Sequence, residues 1–505
     1  MRLDQLLADL GLPARVRGDD SAEITDLAFD SSRVEPGTLF FCVRGMSADG
    51  HNFAPAALEG GAAALVVDHH LDLDVPQVLV EDTRRAMAPL AARFFGDPSR
   101  ELRMIGITGT NGKTTTAFLA RAILEAAGLP CGLLGTVKQV VGGVEEEVVR
   151  TTPEAIDLQR TFRRMLDGGD RACVMEVSSH ALVLGRADAI AFDVAAFTNL
   201  TQDHLDFHSD MEDYYEAKRL LFLPLADGGL LPPGAATVNV DDGYGARLRD
   251  ELLAAGSPPV SSFSAAGAEA DLSAHSVTFD AGGTSFELRL AGVTEALPVR
   301  LGIPGHFNVE NALAALGCAR ALDVAPDVAI AALAGAESVP GRMEPVDEGQ
   351  DFGVLVDYAH TPDSLENVLR AARRLTDGRL ICVYGCGGDR DAGKRPLMGA
   401  AGAELADVPV VTSDNPRSED PEAIIAQMLE GIPAERRDEV VVDADRRRAI
   451  ATALAAAEAG DLVVIAGKGH EQGQEFEGGR KEPFDDRDVA REELGRLRAA
   501  GGTPA

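Results

Sequence analysis

The residues best placed to do chemistry are a lysine and two threonines that follow a glycine-rich turn. Met104–Thr116 reads MIGITGTNGKTTT: an apolar run rises into Gly109-Thr110-Asn111-Gly112, and the turn ends in Lys113-Thr114-Thr115. Ala117–Leu124 then continues with helical composition. Strand, glycine turn, Lys-Thr and helix in that order make a phosphate cradle. The glycines let backbone N–H groups point into the turn, and the helix N-terminus adds positive potential. Lys113 can reach terminal phosphates, and the Thr114 hydroxyl can ligate Mg²⁺. The strict pattern has another glycine where this chain has Ile107, so the match is to a variant, G-T-N-G-K-T-T. The chain is expected to bind a nucleoside triphosphate.

Two more polar stretches follow apolar runs. Glu176-Val177-Ser178-Ser179-His180 closes the run from Ala172, and Asn199–His208 follows Val194–Thr198. Residues just past the strands of a doubly wound sheet lie at its ligand-binding edge. Glu176 and His204, beside the glycine turn, can therefore supply ligands to Mg²⁺. Tyr214–Phe222 is expected to be helical, and spacing alone makes its Lys218 an ordinary solvated lysine.

These groups can act together only if a parallel sheet sets the strand ends side by side. Strand-then-helix alternation from Leu102 onward predicts such a sheet, with helices on both faces. Strands are expected at Ala172–Val177, Val194–Thr198 and Thr237–Asn239, antiparallel edge strands within Ser273–Arg300, and helices at Asn308–Leu322 and Pro326–Leu333. Ser338–Arg342 reads as a hinge. Beyond it, strands at Gly353–Asp357, Leu380–Tyr384, Val408–Thr412 and Leu462–Ala466 alternate with helices as a second doubly wound unit. The fold class is α/β with three domains: 1–98, a central P-loop parallel-sheet domain at 99–338, and a Rossmann-like C-terminal domain at 339–505.

At 505 residues the chain exceeds one hydrophobic core. A formal net charge of −34 argues against nucleic acid and anionic membranes as partners. An anionic ligand must then be held by local Arg, Lys, Mg²⁺ and helix N-termini. Six scattered cysteines, mostly in apolar runs, read as buried free thiols of a reducing compartment. The early acids of MRLDQLLADLGL do not suit a signal peptide, and no run approaches the roughly 20 apolar residues of a membrane span. A cytoplasmic protein without membrane insertion is expected, and a monomer, since nothing resembles a coiled coil.

GTNGKTT, EVSSHAL, TNLTQDHLDFH, YYEAKRLLF, GHFNVENALAA, VPGRMEPV, DYAHTPDSL, YGCGGDRDAGKRPLMG, SDNPR and AGKGHE occur in this order. Together they resemble the Mur ligase family of peptidoglycan synthesis over nearly the whole chain. The resemblance implies an ATP-dependent amide ligase. The first domain would hold the uridine nucleotide of UDP-N-acetylmuramoyl-L-alanyl-D-glutamate, the second ATP, and the third the incoming amino acid. ATP would phosphorylate the D-glutamyl carboxylate, and the amine would attack the acyl phosphate. The resemblance places Glu176 and His204 with Thr114 around Mg²⁺, and makes Lys218 a carbamylated metal ligand, which overrides the solvated reading. It gives Lys113, Lys218 and His204 catalytic roles. Asn308 and Asn311 fall at the adenine end of ATP, and Arg342 and Asp357 complete the ATP site from the hinge side.

For the UDP-linked substrate the matching positions are Ser31, Met46, Ser47, Ala48, Thr151, Thr152, Ser178 and Arg186. Two departures stand out: the signature arginine after the first strand is displaced to Arg33, and Leu184 stands where glutamine is common. Asp414, Asn415, Pro416 and Arg417 match the sequence that accompanies meso-diaminopimelate, with Arg390, Gly467 and Glu471 completing the pocket. The distal carboxylate of that diamino acid suits the paired N–H groups of an arginine such as Arg417. A lysine-adding member of the family is the nearest alternative. A P-loop switch acting on a protein partner is the alternative from another class, and nothing favours the pterin site of a folylpolyglutamate synthetase.

Overall fold

The computed structural model describes residues 1–8, 13–45, 48–146, 148, 150–226, 228–280, 283–303, 305–336 and 339–500. Its centre is the strand Arg103–Thr108, whose apolar residues Met104, Ile105 and Ile107 are fully buried. Continuous burial on both faces is what a strand inside a parallel sheet requires. This strand lies between Ala172–Glu176 and Val194–Phe197, both parallel to it, with Glu176 beside Ile107 and Phe197 beside Thr108. The register brings the ends of the three strands level, so the segments that follow them share one rim.

Among the described residues the central sheet has eleven strands. Leu272–Asp280, Gly283–Leu290 and Leu297–Leu301 form one margin, with antiparallel pairing as expected from the alternation at Ser273–Arg300. The other margin, Cys131–Leu134 followed by the hairpin Gln139–Val141 and Val144–Glu146, has no counterpart in the expectations. Helices Lys113–Ala126 and His306–Ala321 cover one face through Leu119, Ile123, Val309 and Leu313. Phe162, Tyr214, Tyr215 and Phe222 pack on the other.

A five-stranded sheet built from Arg15 to Leu79 precedes it, and a six-stranded, mostly parallel sheet from Glu344 to Ala466 follows. Apolar clusters fill both faces of the latter. The hairpin Gly473–Phe476 and Arg480–Pro483 adds a final, separate pair. Among the described residues no helix is long and apolar enough to cross a membrane, and all six cysteines are buried free thiols. The expected hinge residue Ser338 lies outside the described residues, as do Met46 and Ser47.

Candidate active site

The glycine turn takes its shape from its neighbours. Gly109 has φ +144° and Gly112 φ +85°, conformations that favour glycine. A Cβ on Gly112 would lie 2.3 Å from Asn311 Oδ1, and one on Gly109 1.9 Å from Thr198 Oγ1. The turn is braced from the adjoining strand end. The Thr110 N–H donates to the Asn199 carbonyl (2.9 Å), the Asn111 N–H to Asn199 Oδ1 (2.9 Å), and the Thr198 hydroxyl to the Asn111 carbonyl (2.6 Å). Lys113, at the start of the following helix, donates to the carbonyls of Gly109 (3.1 Å) and Thr110 (2.8 Å). Thr115 is buried one residue beyond Thr114.

Thr114, Glu176, His204 and Lys218 converge on this rim. The Thr114 hydroxyl donates to Glu176 Oε1 at 2.9 Å. Glu176 also accepts the Thr136 N–H (2.8 Å) and hydroxyl (3.1 Å), which fixes the carboxylate in place. Lys218 is buried, donates to the Gly109 carbonyl at 2.8 Å, and sits 4.5 Å above the Tyr214 ring. Its pKa is held well below the usual ammonium range, first by burial and then by Lys113. Burial also lowers the pKa of Lys113. His204, at φ +56°, has its pKa pushed down to about 3 by burial and then by His180, Lys218 and Lys113, against the opposing charge of Asp203. It is therefore a neutral imidazole, able to offer a lone pair. A hydroxyl, a carboxylate and a neutral imidazole suit a hard divalent cation, and a lysine adds an anionic oxygen ligand only once modified.

The rim meets the third sheet directly. Arg342 Nη2 lies 3.4 Å from Thr114 Oγ1, and its guanidinium rests on the Tyr358 ring. The Asn111 side chain donates to Asp363 Oδ2 at 2.8 Å, and Gln202 to Asp391 at 3.1 Å. Buried Asp203 pairs with buried Lys394 at 3.3 Å and faces His360 at 3.8 Å. Asp357 is buried, accepting the N–H groups of Met343 (2.7 Å) and Ala359 (2.8 Å), and burial raises its pKa. One cleft is lined by Lys113, Thr114, Glu176, Asn311, Arg342 and Asp357 together. Asn308 joins them through the Asn311 side chain, 3.0 Å away.

Thr151, Thr152, Ser178 and Arg186 form a second group beside the first. The Thr152 hydroxyl donates to the Glu176 carbonyl (2.9 Å) and accepts the Ser178 N–H (3.2 Å). Thr151 Oγ1 pairs with Thr136 Oγ1 at 3.1 Å, and Arg186 donates to the Thr152 carbonyl at 3.3 Å. Ser31 and Ala48 stand apart from this group, beside the five-stranded sheet. Ser31 opens a turn capped by Asp30, and Ala48 accepts the Gly45 N–H at 2.8 Å. The displaced Arg33 pairs with Asp157 at 2.9 Å.

In the third unit, Arg417 at φ +52° donates to Glu475 Oε2 (2.9 Å) and the Gly388 carbonyl (2.8 Å). Arg390 is exposed and lies across Gly387 from Arg417. Asn415 donates to Glu471 at 2.9 Å, and Lys468 bridges Asn415 (2.8 Å) and Glu471 (2.9 Å) while lying 3.6 Å from Asp414. Pro416 packs its carbonyl against Gly388, and Gly467 at φ +123° passes beside Asp414. Lys468, Lys394, Asp203, Thr136 and Glu475 belong to these networks but were not among the sequence expectations. Spacing shows neither burial nor a partner that is distant in the chain, so only TNLTQDHLDFH, AGKGHE and GKRP, as motifs, pointed near Asp203, Lys468 and Lys394.

Models of known families match in three places: the Mur ligase family catalytic domain over residues 23–95, the Mur ligase middle domain over 107–319, and the Mur ligase glutamate ligase domain over 341–469. A UDP-N-acetylmuramoyl-L-alanyl-D-glutamate--2,6-diaminopimelate ligase of Bacillus licheniformis is 45% identical over 500 residues, covering 97% of this chain and 99% of its own. One of the same name from Streptomyces coelicolor is 47% identical over 501 residues, covering 97% and 96%. A solved structure of a ligase so named superposes with a TM-score of 0.67 at 31% identity, over 100% of both chains.

Proposed function

The chain belongs to the Mur ligase family, and we propose that it is the ATP-dependent ligase joining meso-2,6-diaminopimelate to the γ-carboxylate of the D-glutamyl residue of UDP-N-acetylmuramoyl-L-alanyl-D-glutamate. The reaction makes a peptidoglycan precursor in the cytoplasm, and the protein acts as a monomer. One observation carries the reading: the phosphate cradle, through Arg342 and Asp363, and the adjoining strand end, through Asp203 and Lys394, are in hydrogen-bonding contact with the unit that bears Arg417 and Glu471. A switch that only hydrolysed nucleotide would not need its cradle joined to an amino-acid pocket.

The reaction must bring two anions, a carboxylate and a triphosphate, into contact. Lys113 and Arg342 supply positive charge at the meeting point, and backbone N–H groups of residues 109–115 hold the phosphates. Asn308 and Asn311 would meet the adenine end of ATP, and Asp357 would complete the site with Arg342 from the hinge side. Mg²⁺, when bound by Thr114, Glu176, His204 and modified Lys218, screens the phosphate charge. Burial and then the charge of Lys113 hold the pKa of Lys218 well below the usual ammonium range, which favours the unprotonated amine that the modification needs. Its lone pair can add to the carbon of CO₂, one C=O pair moves onto oxygen, and an N–H proton leaves, giving an anionic carbamate. The acyl phosphate formed from ATP and the substrate carboxylate is then attacked by the diamino acid's amine, and phosphate departs as the amide forms. Thr151, Thr152, Ser178 and Arg186 hold the UDP-linked substrate from one side, with Ser31 and Met46–Ala48 receiving its uridine end.

Arg417 would meet the distal carboxylate of the diamino acid, exchanging Glu475 for it. Because Glu475 keeps Arg417 paired when no distal carboxylate is present, lysine is selected against only by lacking the contact that diaminopimelate gains in this exchange. Glu471, held by Asn415 and Lys468, would take the distal ammonium, and exposed Arg390, which donates to the Asp389 carbonyl at 2.9 Å, would close over the pocket. The direct test is release of ADP with ATP alone, with either substrate added singly, and with both. Release only with both supports the ligase. Brisk release with ATP alone would overturn it.

A further inference from the structure

Beyond Thr151 and Ser178, which line the cleft, Glu154 is buried and receives three guanidinium groups. Arg84 Nη1 lies 2.8 Å away, Arg150 Nη1 2.8 Å and Arg186 Nη2 3.0 Å. Three positive charges face one negative charge, a local surplus of two in a chain whose formal net charge is −34. Each guanidinium carries five N–H donors. Arg186 spends one nitrogen on Glu154 and another on the Thr152 carbonyl, and its buried Nε has no hydrogen-bond partner among the described residues. A buried donor left unpaired costs stability unless something else completes it. Burial lowers the pKa of Arg186, and although Glu154 opposes this, Arg150 and Arg84 lower it further. Glu154 also stands at the N-cap of the helix Ala155–Asp167 without capping it, so the positive end of that helix adds to the same field.

The cluster also bridges two units. Arg84 comes from the helix Thr83–Phe94, which packs on the five-stranded sheet, whereas Arg150 and Arg186 belong to the central unit. The hydroxyl of Thr152, whose carbonyl Arg186 holds, and that of Ser178, which lines the cleft, lie 3.4 Å apart.

We propose that Arg84 and Arg150, aligned with Arg186 by Glu154, are the receptor for the diphosphate of the UDP-linked substrate. This rests on the function proposed above. The dianionic diphosphate matches the surplus of two positive charges, and it lies between a uridine end on the first unit and a reacting carboxylate beside Lys113. Glu154 keeps the three forks converged and prevents their mutual repulsion from splaying the wall.

The test compares full-length wild type with Arg84→Ala, Arg150→Ala and Arg84→Lys. It uses ligase kinetics, calorimetric binding of UDP and of the muramoyl dipeptide without its nucleotide, and thermal melting. Each alanine variant should raise KM for the UDP-linked substrate and weaken UDP binding by about tenfold, the loss expected for a charge-assisted hydrogen bond. KM for ATP and for the diamino acid, and kcat, should stay within about twofold. Arg84→Lys should recover part of the loss, and the salt dependence of UDP binding should become shallower. Unchanged UDP affinity in both folded alanine variants would overturn the proposal. So would weakened binding of the muramoyl dipeptide with UDP unaffected, which would assign the arginines to its carboxylate. Arg150 is half-exposed, so its variant serves if Arg84→Ala does not fold. A wild type that binds UDP through these arginines yet makes no amide would instead count against the proposed reaction.

Discussion

Single residues show where burial decides chemistry. Lys218 looks solvated from its helical spacing, and only the resemblance to a family assigned it a role. The structure supplies the physical reason: a buried amine beside a second lysine cannot keep its proton cheaply. Lys218→Ala should lower kcat by at least about a hundredfold, and short carboxylic acids should restore part of it by standing in for the carbamate. Full activity in the untreated variant would remove the role. Glu310 offers a pH test at the same scale. Burial and then the charges of Asp241 and Asp363 push its pKa up to about 8, against 4.5 for a free glutamate. Between those values the folded protein holds the proton more tightly than the unfolded chain, so stability falls as pH rises from about 4.5 to 8. Glu310→Gln removes this dependence. Its melting temperature relative to wild type should therefore climb from pH 5 to pH 8, and a constant difference would show that Glu310 is not strained.

At the scale of elements, the long buried strands and helices were legible because their apolar runs have few other uses. Leu462–Ala466 appears with the expected bounds, and Gly353–Asp357 likewise. The hairpin Gln139–Glu146 was not legible: its strands are three residues each, and Val144 and Glu145 are exposed, so no apolar alternation marks them. The hairpin after Gly473 is hidden for the same reason, since Arg480–Pro483 is wholly exposed. The glycine turn was legible as a cradle, but its bracing by Thr198, Asn199 and Asn311 was not, because those residues are distant in the chain. Gly112→Ala combines a left-handed φ with a Cβ 2.3 Å from Asn311. It should cost about 1–3 kcal/mol of stability and at least about tenfold in ATP affinity, read by melting and nucleotide titration. Unaltered ATP binding would show that the turn has more room than these contacts allow.

For the molecule as a whole, charge and contact between units matter most. Asp203 and Lys394 are both buried and join the central and third units. Removing one partner of a buried pair is costly, about 3–5 kcal/mol, because the other charge is left alone. Lys394→Met should therefore loosen the third unit, enlarging the radius of gyration in solution scattering, and Lys394→Met combined with Asp203→Leu should recover much of the compactness. An unchanged radius in the single variant would mean that the pair does not hold the units together. Composition could set limits, excluding nucleic acid and calling for local clusters of positive charge. It could not show that the cradle's rim and the third unit, which bears the DNPR segment, meet through Arg342, Asp363 and Lys394, because those contacts exist only once separate segments have folded.

The central claim is that one end of the chain activates a carboxylate and the other selects what is joined to it. Supplying the protein with ATP, Mg²⁺, UDP-N-acetylmuramoyl-L-alanyl-D-glutamate and equal amounts of meso-diaminopimelate and lysine, then weighing the products, tests both halves at once. The tripeptide bearing diaminopimelate should dominate in wild type, and Arg417→Ala should lose most of that preference. A lysine-bearing product in excess, or no amide while ATP is still consumed, would contradict the account.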